Sequence, residues 1–163
     1  MCIRDRVVIL VLANFLIIAK ERTLADGKLM LLELAPRDPR SILQGDYMVL
    51  RYRMASQIAQ HSSELSEDGY VVVTLGKDNV ATFKRIHNSD TPLKDNENLL
   101  LYRKRNGVVK VATDAFFFQE QHGKYYNAAR YGEVRVSNGG DAVLTGLRDA
   151  KFQVLTSADS EDS

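Results

Sequence analysis

From Lys28 onward the apolar residues recur at a period of two in short runs, and each run ends at a turn signal. Few folds accept that pattern, because a period of two puts alternate side chains on opposite faces of a strand, whereas a helix needs 3.6. Residues 28–35 (KLMLLELA) place Met30, Leu32 and Leu34 on one face and stop at Pro36 and Pro39. Residues 45–54 (GDYMVLRYRM) place Met48, Leu50, Tyr52 and Met54 on one face and Arg51 and Arg53 on the other. A half-buried antiparallel strand requires that alternation. Residues 55–66 are polar and poor in β-branched side chains, which predicts a short helix or loop.

Three hairpins follow. Residues 70–75 pair with 80–87 across Gly76-Lys77-Asp78-Asn79, and residues 99–105 pair with 108–112 across Asn106-Gly107. Asn-Gly is the strongest two-residue hairpin signal, because both positions accept positive φ. Residues 132–137 pair with 141–147 across Asn138-Gly139-Gly140. Between the last two hairpins, residues 114–130 read as part strand and part helix, broken at Gly123. Seven or eight strands at this spacing predict a mainly β domain, a sandwich or barrel-like fold with a minor helical segment.

The two ends of the chain are of a different kind. Residues 1–6 (MCIRDR) look like a translated sequencing-adapter scar and are set aside. Without Arg4, Arg6 and Asp5, the 22 basic and 21 acidic residues become 20 of each, and the single cysteine, Cys2, goes too. A cysteine-free chain offers no disulfide and no thiolate, and it tolerates an oxidising compartment. Residues 7–19 (VVILVLANFLIIA) are apolar except for Asn14 and read as a truncated transmembrane anchor, since a full span needs about 20 residues. A buried core helix and a secretory signal region are the alternatives, the second opposed by the Lys20-Glu21-Arg22 flank with no small-residue cleavage site. By the positive-inside rule Lys20 and Arg22 favour a cytoplasmic domain, but the opposite flank falls in the replaced stretch and the rule gives no orientation. The domain then runs over 20–155, and 156–163 (TSADSEDS) form a disordered acidic tail.

Balanced charge gives no reason to expect a nucleic-acid partner. His61, His87 and His122 are scattered, and Glu120 beside His122 is too little to hold a metal. The glycines are isolated in turns and cradle no phosphate, so no cofactor is expected. Arg103-Lys104-Arg105 lies near a hairpin tip and reads as a solvated turn. One catalytic arrangement can be pressed. Type I signal peptidases have an anchor, a serine before a proline-containing turn and a Gly-Asp strand, then a lysine base, and this sequence resembles that order loosely through 36–39, Gly45-Asp46 and Lys84-Arg85-Ile86. The serine is misplaced, because the nearby hydroxyl is Ser41, four residues from Gly45. A serine–lysine peptidase using Ser41 and Lys84 is therefore the second reading.

Residues 45–52 carry the stronger resemblance. Gly45, Asp46, Tyr47, Leu50 and Tyr52 fit the pattern G-D-Y-x-x-L-x-Y at every fixed position, and the chain resembles the GDYXXLXY proteins. The flanks agree: Gly27 opens a strand ending at Pro36, Asp38-Pro39-Arg40-Ser41 come just before the motif, and Phe116-Phe117-Phe118 with Glu120 come after it. Ala129-Arg130-Tyr131-Gly132-Glu133 stand near the end. The resemblance implies a bacterial inner-membrane protein of unknown function, single-pass, working beside a multi-span membrane partner. Gly45 and Asp46 can form the turn into the strand, and Leu50 and Tyr52 would pack in the core under the phenylalanine run. Asp38, Arg40, Glu120, Arg130 and Glu133 can pair as one charged set beside Tyr47 and Tyr131, either as a buried network or as a binding cleft. The expectation is a membrane-anchored, extracytoplasmic, non-enzymatic binding or assembly module, with the lipid bilayer as one partner.

Overall fold

A computed structural model describes residue 14 and residues 17–18, 20–36, 47–61, 63–113, 115–117 and 126–156. Helical residues 20–26 (α1) lead through Gly27, whose N–H donates to the Thr23 carbonyl at 3.0 Å, into β1 (Lys28–Glu33). Then come β2 (Tyr47–Val49), α2 (Arg53–Ala59), β3 (Asp68–Leu75), β4 (Ala81–Ile86), β5 (Glu97–Arg105), β6 (Val108–Val111) and β7 (Ala115–Phe117). A 3₁₀ turn at 126–128, β8 (Tyr131–Val136), β9 (Ala142–Arg148) and β10 (Val154–Leu155) complete the order. The domain is mainly β, as the two-residue period predicts. Among the described residues no helix is long and apolar enough to cross a membrane. Most of the 7–19 block, the 1–6 segment and the tail beyond Thr156 lie outside the described residues; Ile17 and Ile18 of the block are helical and exposed.

All three hairpins form in the expected order. The Asn106-Gly107 turn has positive φ at both residues, 51° and 76°, as a type I′ connection demands. A β-bulge between Val72 and Val73 interrupts β3–β4, and another between Glu133 and Val134 interrupts β8–β9. The long-range pairings were not legible. β3 is flanked by β4 and β5, giving a four-stranded sheet β4-β3-β5-β6, and β1 crosses to β8, giving a second sheet β1-β8-β9-β10. A two-stranded ribbon, β2-β7, stands apart. The other edge of β1 touches two segments. The Leu31 N–H donates to the Asn79 carbonyl at 2.9 Å beside the parallel bridge to Val80, and the Ala35 N–H donates to the Arg51 carbonyl at 2.7 Å.

The inner faces bury one core. Met30, Leu32 and Leu34 of β1 and its extension meet Val134, Val136 and Leu147 on one sheet, and Val71, Val73, Leu100, Tyr102 and Val111 on the other. At roughly 1.5–3 kcal/mol for each fully buried large apolar side chain, this cluster supplies the main driving force of the fold. Residues 45–54 do not form one strand as expected. Pairing ends at Val49, Tyr52 makes an isolated bridge to Leu34, and α2 starts at Arg53. Burial nevertheless alternates from Met48 to Met54, because Met54 enters the helix facing inward and repeats four residues on at Ile58. The helix expected within 55–66 thus begins two residues earlier and packs against β1, β4 and β6.

Candidate functional site

The motif segment divides by face. Met48, Leu50 and Tyr52 are buried, while Val49 and Arg51 are exposed. β2 does not merely lie over the aromatic run; it pairs with it, Met48 opposite Phe116 and Val49 opposite Ala115. Phe116 meets Tyr126 edge-on with ring centroids 5.0 Å apart, a favourable geometry for two quadrupoles. Phe117, the next residue, faces solvent at 75% exposure.

Tyr52 lies across Gly132. A Cβ on that glycine would sit 3.0 Å from Tyr52 Cε1 and 3.3 Å from its hydroxyl, so the ring occupies the space that any other residue would fill. Gly132 points inward from β8, and its neighbours Tyr131 and Glu133 point the other way. On that outer face Glu133 Oε2 accepts from Arg148 Nε at 2.6 Å, and Glu133 Oε1 accepts from the Thr145 hydroxyl at 2.8 Å. Arg148 Nη1 also donates to the Phe152 carbonyl at 2.7 Å, and the Tyr131 ring meets the Phe152 ring at 5.0 Å. Residues 131–133 therefore do two jobs: one seats the motif tyrosine in the core, and two clamp the turn between β9 and β10.

Of the expected charged set, Arg130 and Glu133 are the described members. Glu133 pairs with Arg148 on the outer face, and Arg130 is exposed, with its N–H donating to the Arg148 carbonyl and its carbonyl accepting from Leu34. Asp38, Arg40, Ser41, Gly45, Asp46, Glu120 and His122 lie outside the described residues, as does the side chain of Tyr47. Lys84 is exposed on β4. His61 packs on Phe83, with centroids 5.6 Å apart. Arg148 was not singled out in the sequence. A hairpin counted back from Val136–Ala142 would set Glu133 opposite Thr145, and the bulge moves it opposite Gly146, two residues from Arg148 and therefore on the same face.

The exposed residues of the motif segment border a groove of about 540 Å³. One wall is residues 49–52 with Ala55, Ser56 and Ala59 of α2, and the other is residues 107–111 of the β5–β6 hairpin. Val49 and Val108 are exposed across it, at 44% and 56%. An apolar-walled groove lined also by Arg51 and Lys110 can take a peptide or a small apolar group with an anionic end.

The fold and the groove together define a β-rich domain whose signature segment is half core and half surface. The chain belongs to the GDYXXLXY protein family, whose model matches residues 9–147. No curated protein and no solved structure matches it.

Proposed function

We propose that this protein is a membrane-anchored, non-enzymatic binding or assembly module that works outside the cytoplasmic membrane beside a multi-span membrane partner. The groove between the motif segment and β6 carries the reading. Met48, Leu50 and Tyr52 are taken up in packing, so the motif stiffens one wall and presents Val49 and Arg51 to a partner. The anchor is supported by the apolar composition of residues 7–19, by the exposed side chains of Ile17 and Ile18, and by a family match that begins inside that block.

The test is co-purification from bacterial membranes in mild detergent, comparing the parent chain with an Arg51→Glu, Val108→Asp variant. Loss of a co-purifying membrane protein, with the melting temperature unchanged, is the expected outcome. Undiminished recovery with a folded variant would remove the groove from consideration. A compartment-dependent reporter fused after Leu155 reads the side of the membrane, and activity only in the cytoplasm would overturn the extracytoplasmic placement.

A further inference from the structure

The wall that β6 supplies to the 540 Å³ groove is the edge of a sheet. β6 pairs with β5 on one side and closes through the two-residue Asn106-Gly107 turn, so Arg105 and Val108 form the first hydrogen-bonded pair. Alternation makes Arg103 and Lys110 the second such pair, and it turns the N–H and carbonyl of Val109 and Val111 away from β5. β5 obeys the same parity, since the Lys104 N–H turns away from β6 and donates to the Glu67 carbonyl at 2.6 Å. Among the described residues, no hydrogen bond reaches the main chain of Val109 or Val111. Both residues line the groove, yet they are only 8% and 2% exposed. Main-chain groups so sheltered need partners.

The two residues, about 6.8 Å apart along the strand, offer two donors and two acceptors in a row. A small apolar group cannot meet that row, whereas an extended main chain matches it at every second residue. The opposite edge of the same sheet, β4, is guarded by its bulge, but β6 pairs regularly over its whole length. From α2, Ala55, Ser56 and Ala59 line the groove, and their small side chains leave room for larger ones. Arg51 is exposed on the far wall and makes no ion pair with any described residue. We infer that the groove takes an extended peptide segment of the partner protein, added to β6 as a further strand of the sheet. Its β-branched or aromatic side chains face α2, and a carboxylate of the segment meets Arg51. The inference rests on the groove reading above and names the occupant.

The probe is a phage library of short random peptides, panned on the full chain in mild detergent. Enriched peptides should alternate apolar and polar residues, carry Asp or Glu, and lose most of their binding to the Arg51→Glu, Val108→Asp chain. Each is then synthesised with N-methyl groups on one or the other alternate set of its amides, which removes main-chain donors and leaves the side chains in place. Methylating one set should weaken binding about tenfold, and methylating the other should change it little. In the bound chain, the amide protons of Val109 and Val111 should exchange several-fold more slowly by NMR. Groove-dependent binding that ignores methylation, that weakens equally with both sets, or that leaves exchange at Val109 and Val111 unchanged overturns strand addition and leaves the groove standing as a binding site. Enrichment of no peptide also overturns strand addition, and the co-purification then decides the groove by itself. Peptides that bind the Arg51→Glu, Val108→Asp chain as tightly as the parent count against both.

Discussion

Tyr52 and Gly132 are far apart in sequence yet depend on one another. With 3% of its surface exposed, Tyr52 should lose about 3–5 kcal/mol on truncation to alanine, read by urea or thermal unfolding. Gly132→Val should cost about 1–3 kcal/mol by overpacking, because its side chain must displace the Tyr52 ring. The two losses should fall short of additive when combined, since the shortened residue 52 leaves room for the valine. Glu133 and Arg148 make a second residue-scale test. Their side chains are 16% and 24% exposed, too sheltered for solvent to erase the pairing. A Glu133→Gln, Arg148→Met double-mutant cycle should give a coupling energy of about 0.5–3 kcal/mol; a value near zero would mean that the clamp on the β9–β10 turn is held by Tyr131 and Phe152 alone.

At the scale of elements, the connection between β4 and β5 is fastened by one carboxylate. The Lys94 N–H donates to Glu97 at 3.2 Å, and the Arg85 guanidinium on β4 lies 3.0 Å away. Foremost the backbone N–H, then Arg85, hold the Glu97 carboxyl below its ordinary value of 4.5, against the opposing effect of burial. The folded chain therefore binds this proton less tightly than the unfolded one. The resulting stability is fully present above the ordinary carboxylate range and is lost as pH falls through the folded value. Glu97→Gln should lower the melting temperature at pH 7, and the gap from the parent should close in acid below about pH 4.5; a gap constant with pH would assign the effect to shape rather than charge. The elements also show where a two-residue period misleads. Residues 48–54 alternate perfectly in burial, yet the backbone changes from strand to helix at Arg53. Inward-facing residues at 52 and 54 satisfy either geometry, and α2 wins because packing against β1, β4 and β6 rewards Met54 and Ile58 together.

For the whole molecule, β3 is an interior strand, paired with β4 on one side and β5 on the other, and its Val71, Val72 and Val73 are fully buried. Their amides should exchange only through global unfolding, while β10, two residues long at a sheet edge, should exchange through local opening. Hydrogen exchange followed by mass spectrometry would show it, and early exchange at residues 71–73 would mean that the sheets separate before the core unfolds. The local hairpins were legible because turn chemistry and alternation act between neighbours in the chain: Asn106-Gly107 predicts its own turn and the strands on either side. The family was legible too, since fixed residues at 45–52 identify it without any fold. What the sequence could not supply was the partnership of distant segments. Whether β1 joins β8, whether β2 joins β7, and that Tyr52 rests on Gly132 are decided by how the apolar faces close over one another. That choice depends on the summed burial of the whole chain and on bulges that shift the register by one residue, and no short stretch of residues carries either.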